Sequence, residues 1–324
     1  MMFRQSPHHG LRQIKDPPSS IRFLVQPEVA AAPVAPTRTS RSSHITPSTS
    51  PSRRPRAYYR HAMTVLYSLY TREGIVFAAD SMLTRRLGRL TYYASSRDPK
   101  VFRIPKLGDH SAGSIVGHYG LAQVSGKPMA DFLRPLIAAW GGSGRINDFA
   151  DHLVDSLRRT ARAHELRNVV GFHLGGFERR DVYRVPIFIY IRNAEADENT
   201  GIYHEFPNWE LRTEEQMMGR TLVQWEPREA REALERFRRQ NGGIPMWFRN
   251  GDLPSFVGPT AAVELAIKYL ISRPNFGAPT TVNRWADLAS VFVNTTSDLV
   301  AATYTRGTPT IGGRAYCLSL GWDD

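Results

Sequence analysis

One boundary constrains this chain more than any other feature, a change of texture at His61-Ala62-Met63-Thr64. Residues 1–62 hold nine of the 22 prolines, nine serines and ten Lys and Arg against two acidic residues, Asp16 and Glu28. Such text cannot bury enough apolar surface to offset the entropy of ordering it. After the boundary, Val65 to Tyr70 and Gly74 to Ala79 are β-branched and apolar runs separated by the polar turn Thr71-Arg72-Glu73. That pattern predicts a hairpin or two adjacent strands. Residues 1–62 are therefore expected to be a disordered Arg/Pro/Ser-rich segment, and 63–324 the folded domain.

The same division locates the charge. The formal net charge is +12, but 63–324 carries 32 basic and 28 acidic residues, about +4. A folded part so nearly balanced implies neither a nucleic-acid nor a membrane-surface partner. The longest apolar stretch, Val185 to Ile191, is far below the roughly 18 residues a membrane span needs. At the N-terminus, Val29 to Val34 is brief and broken by Pro33, unlike a secretory signal. These features predict a cytoplasmic protein. Cys317 is the only cysteine, so no intramolecular disulfide can form, and its apolar run predicts a buried, inert thiol. The ten histidines show no metal-ligand spacing, so neither a metal nor another cofactor is expected. Gly141-Gly-Ser-Gly144 lacks the Lys-Ser/Thr of a phosphate loop and reads as a linker. Arg228 to Arg239, with Glu232 and Glu235 interleaved, reads as a solvated helix face.

Further strands are predicted at Arg89 to Ala94, Val101 to Ile104, Gly113 to Gly117, Val169 to Gly175, Val182 to Ile191 and Gly201 to Phe206. Phe149, Leu153, Leu157 and Ala161 recur at i+4, which predicts a helix over Ile146 to Glu165 with Asp148 capping its first turn. Helices are also predicted at Met129 to Trp140, Arg228 to Arg239 and Pro259 to Ile271. Leu288 to Val293, Leu299 to Tyr304 and Ala315 to Leu320 read as closing strands. Runs of strands followed by runs of helices favour layered packing over alternating βαβ units.

The segment from Thr64 through Gly-Ile-Val-Phe-Ala-Ala-Asp80 to Thr84 sets a threonine, an aspartate sixteen residues later and a second threonine in one ungapped register. Downstream come Lys100-Val-Phe-Arg-Ile and Ser114-Ile-Val-Gly117-His-Tyr-Gly120-Leu-Ala-Gln123. Singly, Asp80 also reads as a turn residue, Lys100 as a solvated lysine, and Gly117 and Gly120 as strand-end glycines. Jointly, these segments resemble the start of proteasome-type β-subunits and their bacterial relatives, a family of N-terminal-nucleophile hydrolases, with about four extra residues before Lys100. The resemblance implies a nucleophile at Thr64, a supporting pair at Asp80 and Lys100, an oxyanion N–H at Gly117 and substrate backbone bound at Thr84. It also implies a specificity pocket lined by Leu83, Ile115 and Tyr119, whose apolar character points to cleavage after apolar residues.

The chemistry needs those residue types. A threonine hydroxyl is a weak nucleophile, and an N-terminal threonine carries its own base in an α-amine of pKa about 7.7–8.0. An ammonium at Lys100 would favour loss of the hydroxyl proton, Asp80 would fix that ammonium, and a side-chain-free Gly117 would let a backbone N–H approach the oxyanion. The family's Ser-Gly pair before its late helix is not found here. For its supporting Asp-x-x-Ser loop, Asp287-Leu-Ala-Ser290 is the candidate, which reads equally as the start of a strand.

The resemblance further implies an α+β fold, a four-layer αββα sandwich of two antiparallel sheets. The expected function is hydrolysis of a peptide or other amide by Thr64 after removal of Met63, in a homo-oligomer, with any ATP-dependent unfoldase left undetermined. A small-molecule amidase is the rival of the same chemistry. A noncatalytic ring-forming or scaffolding subunit is the rival if Thr64 stays internal. Met63-Thr64 matches a start methionine before a small residue, so 1–62 is read as an overlong gene start or a cleaved extension. A transit peptide, a propeptide and a basic tail are the alternatives.

Overall fold

The computed structural model describes residues 64–87, 90–95, 97–105, 111–140, 144–166, 168–180, 183–196, 203–213, 227–240, 242–251, 253–303 and 311–322. All lie in the second of two units, Met1–Ser52 and Arg53–Asp324. The segment expected to be disordered, 1–62, falls outside the described residues.

The strands, in chain order, are β1 (Val65–Thr71), β2 (Gly74–Ala79), β3 (Leu83–Leu87), β4 (Leu90–Ser95), β5 (Val101–Ile104), β6 (Ser111–Gly120), β7 (Gln123–Val124) and β8 (Lys127–Pro128). They continue with β9 (Val170–Arg180), β10 (Tyr183–Ala196), β11 (Tyr203–Thr213), β12 (Met246–Gly251) and β13 (Tyr316–Gly321). The helices are α1 (Met129–Ala139), α2 (Ile146–Thr160), α3 (Pro227–Gln240), α4 (Leu253–Ile271) and α5 (Val282–Thr303). Content is mixed α and β, and the sheets are antiparallel. One sheet runs β12-β1-β2-β13 and the other β11-β10-β9-β6-β5, with two small ribbons, β3-β4 and β7-β8.

Strand alternation sorts the core into three clusters. Leu66 and Tyr70 of β1 with Phe77 of β2 pack with Ile115, Tyr119, Phe177 and Phe188 of the five-stranded sheet. The other face of the first sheet, with Val65, Tyr67, Leu69 and Val76, packs on Val263 and Ile267 of α4 and Trp285, Phe292 and Val293 of α5. The other face of the five-stranded sheet, with Val116, Phe172, Leu174 and Ile189, packs on Leu133 of α1 and Phe149, Leu153 and Leu157 of α2. Covered on both faces, β1 and β2 are buried at every position. That is why they read as largely apolar runs, interrupted in β1 by the buried Ser68 and Thr71, instead of alternating ones.

Most elements fall within a few residues of the sequence reading. At α2, Asp148 Oδ2 accepts the Arg145 N–H at 2.7 Å, the expected first-turn cap. The largest departure is α5. Leu288 to Val293 and Leu299 to Tyr304 were expected as strands, yet 282–303 is one helix. Its buried residues Trp285, Ala289, Phe292, Val293, Thr296 and Val300 recur at three to four. Thr281 Oγ1 accepts the Arg284 N–H at 3.3 Å and starts the first turn. The β-branched content of this segment pointed to strand, but a 3.6-residue apolar stripe facing a sheet overrides propensity. Strands β3 and β12 were not foreseen. Among the described residues, no helix is long and apolar enough to cross a membrane.

Candidate active site

The β1–β2 hairpin carries Asp80 back to the start of β1. Asp80 N–H donates to Val65 O at 3.2 Å, and Val65 N–H donates to Asp80 Oδ1 at 2.9 Å. Thr64, one residue earlier, is buried. Lys100, directly before β5, donates from Nζ to the same Oδ1 at 2.8 Å. The other carboxylate oxygen accepts the N–H groups of Met82 at 3.3 Å and Gly312 at 3.2 Å. Asp80 is thus a fully buried carboxyl with four donors on it. Burial pushes its pKa up, opposed by the Lys100 charge and these hydrogen bonds. Burial pushes the Lys100 ammonium down, opposed by Asp80. Each partner therefore depends on the other to stay charged.

Thr64 and Lys100 open on a small cleft of about 20 Å³, walled by Leu83, Met129, Asp98 and His118 among others. A volume of that order holds about one water-sized group. The β6 strand supplies this wall through His118 and Gly120. Ile115 and Tyr119, expected in a specificity pocket, point the other way: both are fully buried between the sheets, and Tyr119 Oη meets Tyr190 Oη at 2.6 Å. The period of two along β6 decides this, because a shift of one residue exchanges the faces. Leu83 does line the cleft. Thr84 lies in β3 opposite Tyr93, and its side chain falls outside the described residues.

Gly117 sits mid-strand, paired with Val101 of β5 and His173 of β9. A Cβ there would come 2.6 Å from Leu66 Cδ1 and 3.3 Å from Val101 Cγ1, so close packing between the sheets already requires glycine. Gly117→Ala is expected to cost about 1–3 kcal/mol by overpacking, measured by denaturant unfolding. An unchanged midpoint would show that Leu66 can move aside freely.

Asp287 and Ser290, expected on a supporting loop or at a strand start, instead lie within α5. Ser290 Oγ contacts Cys317 Sγ of β13 at 3.0 Å, which takes this hydroxyl to the outer face of the first sheet. Burial pushes the Cys317 thiol up to about 11, with the Ser290 contact opposing it. Alkylation by iodoacetamide at pH 8 should therefore run roughly 100-fold slower on the folded chain than on the unfolded one. Equal rates would show that the thiol is open to reagent.

Three contributors were not foreseen. Gly312 caps Asp80 from 232 residues away, a contact no local pattern could indicate. His118 and Asp98 flank the expected Gly117 and Lys100, and strand alternation was the one signal that could have found His118. A larger groove, about 1240 Å³, lies near the β1–β2 turn and includes Arg72, Arg228, Glu232 and Glu235. Several of its charges pair along α3, as in Arg228–Glu232 at 3.0 Å and Arg239–Glu235 at 3.0 Å. Among the described residues, no group of three or more His, Cys, Asp or Glu side chains is placed to hold a metal ion.

No family model matches this chain, and no curated protein matches it. Among solved structures it is similar to the Anbu (Gly-1) mutant from Hyphomicrobium sp. strain MC1, at 11% identity and a TM-score of 0.41, over 80% of this chain and 81% of that one. A likeness that faint carries no argument about descent or activity. The expected membership of the proteasome-type family is corrected accordingly: the chain is not placed in it. The reason lies in the hairpin. Two strands of seven and six residues around a short turn bring an aspartate sixteen positions later beside the first strand's start, so the spacing follows from geometry and is no signature of ancestry.

Proposed function

We propose that this chain is an amide hydrolase that uses Thr64 as an N-terminal nucleophile. The observation that carries the reading is Asp80 Oδ1, which holds the Lys100 ammonium at 2.8 Å and the Val65 N–H at 2.9 Å. One carboxylate thereby ties a buried cation to the residue next to Thr64, beside a cleft that Thr64 and Lys100 share. Once the chain begins at Thr64, its α-amine accepts the hydroxyl proton as Oγ attacks the substrate carbonyl. Lys100 stabilises the negative charge that develops nearby. The amine returns the proton to the leaving nitrogen, an ester on Thr64 remains, and water cleaves it with the same amine as base.

The three apolar clusters support an arrangement of the elements as a four-layer αββα sandwich, with α1 and α2 on one outer face and α4 and α5 on the other. The active form is proposed to be a homo-oligomer. Leu265, Tyr269 and Phe276 are 66%, 56% and 59% exposed, an apolar surface suited to a second copy.

The test uses protein that begins at Thr64 and a peptidyl epoxyketone, whose cyclic adduct needs a hydroxyl and a free amine on one residue. A single adduct on Thr64, with loss of amide hydrolysis, is expected by mass spectrometry. Hydrolysis that persists in the presence of the reagent, or an adduct elsewhere, would sink the reading.

A further inference from the structure

The β7–β8 ribbon turns at Ser125-Gly126, with φ of 52° and 79°. Both angles lie in the left-handed region, as the two central residues of a type I′ hairpin require. Glycine adopts that conformation freely. Serine does not, and among the described residues Ser125 is the one non-glycine held there. Such a conformation persists only where its surroundings impose it. Here Glu165, 40 residues on in the turn after α2, does so. Its carboxylate accepts the Ser125 N–H at 2.9 Å on one oxygen and the Gly126 N–H at 3.2 Å on the other, and also the Arg162 N–H at 2.8 Å. Ser125 Oγ donates to Thr160 O at 2.6 Å. Glu165 is buried. Burial works against its charge, but the N–H groups of Arg162, Ser125 and Gly126 and the nearby His164 outweigh it and hold the carboxyl below its usual range. The turn that carries Glu165 is itself anchored to the five-stranded sheet, because Asn193 of β10 donates from Nδ2 to Leu166 O at 3.0 Å and to Asn168 O at 2.8 Å.

The stems of the same ribbon lead into the cleft beside Thr64. Gly120 and Ala122 before it and Pro128, Met129 and Ala130 at its end all line that cleft. The Met129 N–H donates to Ala122 O at 2.9 Å and ties the stems together. We infer that Glu165 is a positioning residue for this cleft: it latches the ribbon tip, so that the stems stand at a fixed width beside Thr64 and admit only a compact substrate side chain. The inference rests on the reading of Thr64 as nucleophile. An acyl group on Thr64 Oγ brings its own side chain next to Thr64, and about 20 Å³ has room for one group the size of a water or methyl. The cleft thus selects by size, and Glu165 sets the size without touching the substrate.

The test uses protein that begins at Thr64, unsubstituted and as Glu165→Gln, which keeps the side chain's shape but replaces one acceptor oxygen by an NH2 group. Fluorogenic peptides carry alanine or phenylalanine on the acyl side of the cleaved amide. In the unsubstituted protein alanine should lead in kcat/KM by about tenfold or more, since even one misfitting methylene in a formed pocket is worth that much. In Glu165→Gln the lead should collapse toward unity, and the loss on the alanine peptide should appear in KM more than in kcat. A second measurement, backbone hydrogen exchange of the full chain, needs no turnover. The Ser125 and Gly126 amides should exchange about tenfold or more faster in Glu165→Gln, because a hydrogen bond to a charged acceptor holds a local opening closed by at least that factor. The Val76 and Phe77 amides of β2 should stay as slow as before.

Unchanged exchange at Ser125 and Gly126 would overturn the latch. Faster exchange with an unchanged ratio of alanine to phenylalanine would make Glu165 a brace for the turn alone and overturn the positioning role. A lead for phenylalanine in the unsubstituted protein would overturn the compact cleft. If the unsubstituted protein hydrolysed neither peptide, the Thr64 reading would fall and the positioning role with it, a result set apart from the others because the exchange difference would persist.

Discussion

Thr64→Ala is expected to lose amide hydrolysis by on the order of 10⁴-fold or more, down to the background rate, because removing a nucleophile removes the acylation step itself. Thr64→Ser should keep a measurable fraction, since a hydroxyl and an α-amine remain on one residue. The β-methyl of threonine helps hold the hydroxyl in one rotamer, which is what serine would lose. Both variants should fold, since neither takes a charge from the Asp80–Lys100 pair. The pH profile supplies an independent check. The amine must be neutral to take the proton, so the rate should rise with pH through about 7.7–8.0, the range of a free α-amine. Full activity in Thr64→Ala, or a rate that falls across that range, would place the chemistry elsewhere.

Asp80→Ala is expected to be the most destabilising single change at the site, by about 3–5 kcal/mol, because it strands a buried ammonium. It also orphans the N–H groups of Val65, Met82 and Gly312, which Asp80 accepts at 2.9, 3.3 and 3.2 Å. Lys100→Met is expected to cost less, about 1–3 kcal/mol, because those three N–H groups still solvate the carboxylate. Activity should be lost in both. The double variant should fall short of the sum of the two, since the residues act as one unit. Denaturant unfolding of the four proteins closes the cycle. If Lys100→Met were as damaging as Asp80→Ala, the backbone donors would contribute nothing to holding the carboxylate.

Much of the local structure was legible before any tertiary contact was known. Val65 to Tyr70 and Gly74 to Ala79 specify strands through β-branched content, and Thr71-Arg72-Glu73 specifies the turn between them. The i+4 recurrence of Phe149, Leu153 and Leu157 specifies α2. Where propensity and periodicity disagreed, periodicity won: α5 is rich in Val and Thr yet folds as a helix because Trp285, Ala289, Phe292 and Val293 form one stripe against the first sheet. Short strands without a distinct pattern, β3 and β12, exist because a neighbour is there to pair with. β12 lies along β1, with Met246 opposite Tyr70 and Gly251 opposite Val65.

At the site, the sequence made the Thr64–Asp80 neighbourhood legible as one of its readings, because a hairpin over Val65 to Tyr70 and Gly74 to Ala79 brings Asp80 back beside the start of the first strand, the register that the structure shows. Lys100 was singled out through the resemblance alone and by itself read as a solvated lysine; its burial against Asp80 is a tertiary result. Everything that depends on facing was decided by the tertiary structure. Which side of β6 meets the cleft, and so why His118 lines it while Ile115 and Tyr119 do not, follows from how the two sheets pack. The Gly312 N–H on Asp80 and the Ser290–Cys317 contact join segments far apart in the chain. Such contacts are set by the meeting of whole layers, and the energy that selects them, apolar burial across both faces of β1 and β2, is shared among many residues and written at none of them.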